Sequence, residues 1–132
     1  MNKIWLLMLG MAMAASVKVA ADPINLDIVY LPHGPVMKVM KEIDGILAKH
    51  PDAKVKKVTF DEKAGKKLAE SHGLSGHMPI LLVVNKEYKH QVNGELIEFY
   101  NFPSNVRFAP MFQGSWAYED LDILLADIAG KE

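Results

Sequence analysis

Two short stretches of the sequence hold side chains that could bind a metal or take part in a reaction. The first, residues 32–36, reads Pro-His-Gly-Pro-Val and places His33 in a turn. The second, residues 76–79, reads Gly-His-Met-Pro. A neutral imidazole can act as a general base or a metal ligand, and a thioether is a soft ligand that suits Cu(I). Base catalysis, copper binding and partner binding are therefore the chemistries to weigh at these stretches.

The absence of cysteine excludes one class of activity. Thiol–disulfide exchange begins with the attack of a thiolate on a disulfide sulfur, so dithiol oxidoreductase and isomerase activities are excluded. Other catalysis requires a partner that positions the base or the nucleophile. The sequence has no HExxH pattern, no glycine-rich phosphate loop and no recognisable Ser-His-Asp arrangement. We therefore expect a protein that is not an enzyme and that has no cofactor.

The first 21 residues have the composition of a secretory signal. Lys3 supplies a positive start, residues 4–15 are apolar, and Val19-Ala20-Ala21 fits the residues that a signal peptidase reads. The apolar run is shorter than the ~20 residues that span a bilayer, although an uncleaved anchor is the alternative. We predict a signal peptide at residues 1–21, a domain at residues 22–132, and a periplasmic or secreted location.

Length and charge narrow the class of partner. The chain has 132 residues, which suits one domain, and its formal net charge is −1. A protein that binds nucleic acid or an anionic membrane surface usually carries a basic excess, which is missing here. Nucleic acid is therefore not the expected partner, and no membrane insertion is expected after signal cleavage.

Hydrophobic periodicity and turn residues predict an alternation of strands and helices. The predicted order is β-α-β-α-β-β-(β)-α, with strand 25–31, helix 35–47, strand 54–60, helix 61–72, strand 80–84, hairpin strands 88–92 and 95–99, and helix 115–128. Asp61 and Ser115 are the predicted N-caps of the last two helices, and Asn93-Gly94 is a strong hairpin signal. A right-handed βαβ crossover makes the first two strands parallel, and the hairpin adds antiparallel ones. The prediction is an α/β domain with a mixed central sheet.

Residues 101–114 have no clean period and predict a loop. The loop and its flank are unusually aromatic, with Phe102, Phe108, Phe112 and Trp116, and the loop also contains Met111. Two interpretations are open. These side chains either cover the open edge of the sheet and pack into the core, or they form part of a protein-binding surface.

The two candidate stretches resemble parts of the thioredoxin superfamily. His33-Gly34-Pro35-Val36 stands where that family has Cys-Gly-Pro-Cys, and residues 67–76, ending at Pro79, are similar to its segment into the cis-proline loop. The resemblance implies a three-layer sandwich of the minimal thioredoxin fold, in which the loop before Pro79 lies against the turn. The chain departs from the family in lacking both cysteines and in having one extra residue, within His77-Met78, before Pro79.

With the redox residues absent, the resemblance implies a surface that binds. An extended peptide can add to the backbone of such a loop without any cysteine. The leading hypothesis is a non-catalytic periplasmic adaptor or chaperone-like accessory that engages another exported protein. The predicted partner-binding residues are Pro32, His33, Gly34, Pro35, Val36, Gly76, His77, Met78 and Pro79. The alternative is a copper-binding accessory protein with His33, His77 and Met78 as ligands.

Overall fold

A computed structural model describes residues 23–74, 78–107 and 109–130, and the predicted signal peptide lies outside these ranges. The strands are β1 (Asn25–Tyr30), β2 (Lys54–Thr59), β3 (Ile80–Val84), β4 (Lys89–Val92) and β5 (Glu95–Glu98). The α-helices are α1 (Gly34–Leu47), α2 (Lys63–Ser71) and α3 (Tyr118–Ala129), and a short 3₁₀ helix spans Pro110–Phe112. The described residues therefore form a mixed α/β structure, as the sequence predicts.

The central sheet contains three strands in the order β2-β1-β3. β1 is parallel to β2, with Leu26 opposite Val55, and antiparallel to β3, with Leu26 opposite Val84. The prediction of a mixed central sheet is therefore confirmed. The connection from β1 through α1 to β2 is a βαβ unit, which makes the first two strands parallel.

Helices pack on both faces of this sheet. Alternate residues of a strand point to opposite faces, so Leu26 and Ile28 share one core cluster with α1 and α3. Val29, Leu81 and Val83 share the other cluster with Ala69 of α2. β3 is buried along its whole length, in agreement with its unbroken apolar sequence.

The predicted hairpin forms a second sheet instead of widening the first. β4 and β5 pair with Val92 opposite Glu95, and Asn93 and Gly94 between them both have positive φ, of 51° and 82°. Two such residues are what a type I′ turn requires. After β5, the backbone N–H of Asn101 donates to the carbonyl of Ile80 at 2.8 Å, so the chain returns to the free edge of β3.

Two predicted helix caps are wrong. α2 has Glu62, not Asp61, at its N-cap, and α3 has Ala117, not Ser115. At α3 the cap is supplied from inside the helix, because the carboxylate of Asp120 accepts a hydrogen bond from the N–H of Ala117 at 2.8 Å. Within the described ranges, no helix is both long enough and apolar enough to cross a bilayer.

Candidate functional site

An apolar cavity of about 310 Å³ opens where β1 leads into α1. It is bounded by the turn before α1, by the residues that precede β3 and by the loop before α3. We call it the apolar cavity, and it is lined by Leu31, His33, Pro35, Val36, Met78, Pro79, Phe102, Ala109 and Phe112. Its volume falls at the low end of the ~300–1,000 Å³ that ligand pockets span.

A backbone hydrogen bond fixes the first two walls against each other. The N–H of Leu31 donates to the carbonyl of Pro79 at 3.0 Å, which continues the pairing of Tyr30 with Ile80. The N–H of His33 then donates to the carbonyl of Leu31 at 2.8 Å, and this bond closes the turn. The turn therefore lies beside Met78 and Pro79, the described part of the second stretch singled out in the sequence.

The turn presents its residues on two sides. Pro32, His33, Gly34 and Pro35 are exposed, whereas Val36 is only 2% exposed and belongs to the core shared by α1 and α3. His33 is the N-cap of α1, with extended backbone and no hydrogen bond from its side chain to the helix. Its imidazole is therefore available at the mouth of the cavity.

The second wall, formed by Met78 and Pro79, is buried. Met78 is 6% exposed and packs in the core cluster of α2, and Pro79 is also buried. No peptide bond among the described residues is cis, so Met78–Pro79 is trans, whereas the thioredoxin loop that the sequence resembles carries a cis-proline. Gly76 and His77, both predicted partner-binding residues, lie outside the described residues.

The third wall comes from the loop predicted at residues 101–114, which we call the aromatic loop. The sequence did not indicate that this loop lies beside the other two walls. Phe102, Ala109 and Phe112 all line the cavity. The loop folds back on itself, because the N–H of Phe102 donates to the carbonyl of Phe112 at 2.9 Å. The concentration of aromatic residues in a segment without a period was the available signal. Met111 points away from the core and is 85% exposed, and Phe108 lies outside the described residues.

Trp116 holds the start of this loop through two hydrogen bonds. Its side chain is fully buried, and its indole Nε1–H donates to the carbonyl of Asn101 at 3.0 Å. Its carbonyl accepts the N–H of Ser104 at 2.7 Å. Of the two interpretations of the loop, packing into the core holds for Phe102 and Trp116, while Phe112 is half-buried at the cavity.

A second depression adjoins the apolar cavity on the far side of Pro35. We call it the lysine groove, and it is lined by Gly34, Pro35, Lys38, Val39, Lys41, Glu42, Val106 and Tyr118. Its volume is about 870 Å³. Burial, and after it the Glu42 carboxylate, raise the pKa of the Tyr118 phenol above its usual value.

The polar groups at these walls are few. Among the described residues that line the apolar cavity, His33 has the one ionisable side chain. Over the described ranges, no three His, Asp or Glu side chains are grouped so that they could hold a metal ion. His50 and His90 are engaged elsewhere, with Asp122 and with the carbonyl of Val84 respectively. The arrangement suits the capture of an apolar group with one imidazole at its edge.

Comparison with known protein families, with curated proteins and with solved structures yields no match for this chain. The function must therefore be argued from the geometry of the apolar cavity and its surroundings.

Proposed function

We propose that this chain is a non-catalytic, thioredoxin-like binding protein of the cell envelope, an adaptor or chaperone-like accessory that engages another exported protein. The observation that carries the proposal is the apolar cavity, because three segments distant in sequence converge on it. Burial of an apolar side chain releases roughly 1.5–3 kcal/mol, which gives such a cavity a reason to take one.

Two further observations support the thioredoxin-like assignment within this proposal. The β2-β1-β3 order, with β3 antiparallel to β1, is compatible with the minimal fold that the sequence resembles. The hydrogen bond from the N–H of Leu31 to the carbonyl of Pro79 joins the turn to the residue before β3, which is compatible with that resemblance. The N-terminal sequence supports export, since it has the three regions of a secretory signal.

A cavity-filling variant tests the proposal with little loss of packing. Ala109→Trp would occupy the apolar cavity, and Ala64→Trp on α2, where Ala64 is exposed, adds the same ring away from it. Each protein would be immobilised and exposed to an envelope extract, and captured proteins identified by mass spectrometry. We expect one protein to be retained by the parent chain and by Ala64→Trp but not by Ala109→Trp. Identical capture by all three proteins would contradict the proposal.

Copper binding is the second candidate, and one observation favours it. His33 and Met78 line the same cavity, so an imidazole and a thioether face a common space. This candidate predicts that one equivalent of Cu(I) binds in competition with a chromophoric chelator and that His33→Ala abolishes the binding. An unchanged chelator spectrum at stoichiometric Cu(I) would contradict it.

A further inference from the structure

The apolar cavity and the lysine groove share Pro35 as a common wall. An occupant that crosses this ring therefore passes from apolar walls to a surface that carries the ammonium groups of Lys38 and Lys41. The two depressions are therefore neighbours, one with apolar walls and the other with two lysines, and we call them the apolar end and the cationic end.

The lysines of the cationic end form no ion pair among the described residues. Lys49, Lys57 and Lys89 form ion pairs with acidic side chains, but Lys38 and Lys41 pair with no described residue. Glu42 is the one acidic side chain among the groove's lining residues, and it lies close enough to Tyr118 to affect the pKa of the phenol. This local positive excess stands in a chain whose net charge is −1.

We propose that the site recognises an extended peptide in which a large apolar side chain is directly flanked by acidic residues. The apolar side chain fills the apolar cavity, and the carboxylates lie against Lys38 and Lys41 across Pro35. This inference rests on the proposed function and adds to it the chemistry of the partner. Charges at the rim of an interface act mainly on selectivity and on the association rate, so acidic flanks distinguish partners that share the same apolar anchor.

Three fluorescein-labelled decapeptides in a Gly-Ser background test the inference by fluorescence anisotropy with the purified protein. The central residues are Phe-Asp-Asp, Phe-Lys-Lys and Ala-Asp-Asp. At 50 mM salt we expect the first to bind about tenfold more tightly than either of the others. At 500 mM salt the preference for acidic over basic flanks should fall to about twofold, because exposed charges are screened.

Lysine variants separate local recognition from a general effect of charge. The double variant Lys38→Gln/Lys41→Gln should reduce the preference for Phe-Asp-Asp over Phe-Lys-Lys to within about twofold. The matched control Lys66→Gln/Lys67→Gln removes the same charge from α2, on the other face of the sheet, and should leave the tenfold preference intact.

The possible failures are distinguishable. Equal affinities for Phe-Asp-Asp and Phe-Lys-Lys, or an equal loss of preference in the two lysine variants, would overturn the acidic-flank inference and leave the proposed function standing. Equal affinities for Phe-Asp-Asp and Ala-Asp-Asp, or no binding of any peptide, would instead count against the apolar cavity as a binding site and so against the proposed function.

Discussion

The Nε2 atom of His50 lies 2.7 Å from Oδ1 of Asp122, and Nζ of Lys49 lies 2.7 Å from Oδ2 of the same carboxylate. Lys49 and His50 follow α1, and Asp122 belongs to α3, so one carboxylate joins the two helices that cover the same face of the sheet. The hydrogen bonds from Lys49 and from His50 lower the pKa of Asp122 below its ordinary value.

Asp122→Asn should lower the free energy of unfolding by about 0.5–1 kcal/mol at pH 7, as expected for a partly exposed ion pair. Because the folded-state pKa of Asp122 is depressed, its contribution is complete above the unfolded-state pKa of about 3.9 and is lost as the pH falls through the folded-state pKa. The difference between parent and variant should therefore shrink in urea titrations below about pH 4. Asp127→Asn, which changes an exposed residue of α3, is the control. A difference that is unchanged at pH 3 would contradict the assignment.

Gly114→Ala should be one of the most damaging small substitutions in the chain. A Cβ atom at Gly114 would collide with the backbone carbonyl oxygens of Phe102 and Tyr100, which cannot move aside without shifting the loop. We expect a loss of about 1–3 kcal/mol in the free energy of unfolding, measured in urea.

The matched control for Gly114→Ala is Gly45→Ala within α1. Apart from its chain neighbours and the adjacent backbone of α1, no atom lies within 4 Å of the position that a Cβ would take at Gly45. Since glycine costs a helix interior roughly 0.5–1 kcal/mol relative to alanine, this second change should stabilise the protein. The account of the loop would be wrong if the two substitutions had the same sign.

Local sequence signals predicted most of the fold and singled out residues of two of the cavity's three walls. The helical period of α1, the apolar run of β3 and the turn residues Asn93-Gly94 each act over a few residues, so their elements could be placed from the sequence. The wall formed by Phe102, Ala109 and Phe112 could not be placed from the sequence, because bonds between distant residues, such as the one from Trp116 Nε1 to the carbonyl of Asn101, set the path of the loop. A segment without hydrophobic periodicity does not reveal which distant residues it will contact.

The sequence did not reveal that Met78 is buried while His33 is exposed. Both were predicted from their side-chain chemistry, which says nothing about depth. His33 is exposed at an N-cap, whereas Met78 reaches from the cavity into the core beside α2. The N-cap of α3 was misplaced because the sequence was searched for a capping side chain at the helix boundary. The group that caps α3 is the carboxylate of Asp120, three residues inside the helix.

Met78→Ala should reduce the free energy of unfolding by roughly 2–4 kcal/mol, because it deletes buried atoms that pack beside α2. Met111→Ala, at an 85% exposed position of the neighbouring loop, should change it by less than about 0.5 kcal/mol. Thermal unfolding followed by circular dichroism would measure both. A small effect of Met78→Ala would mean that this side chain belongs to the surface, where it could contact a partner directly.

His33→Ser should stabilise the protein while it alters the mouth of the apolar cavity. His33 occupies the N-cap of α1 with φ −109° and ψ 157°, the extended geometry in which a serine hydroxyl can accept the N–H of Val36, yet its own side chain makes no capping bond. Since a good N-cap contributes about 0.5–2 kcal/mol, the urea midpoint should rise in His33→Ser and not in His33→Ala.

Peptide binding by the same two variants tests whether the imidazole of His33, which does not cap α1, contacts the occupant of the cavity. Binding sites commonly retain residues that lower stability because a contact with a ligand requires them. If the imidazole contacts the occupant, both His33→Ser and His33→Ala should weaken binding of the Phe-Asp-Asp peptide by several-fold, although only the first variant is more stable than the parent. Weaker binding in both variants, with a gain in stability only in His33→Ser, would show that the loss of binding comes from the missing imidazole and not from a change in stability. Unchanged binding in His33→Ser would show that the imidazole takes no part in recognition and that the apolar walls suffice.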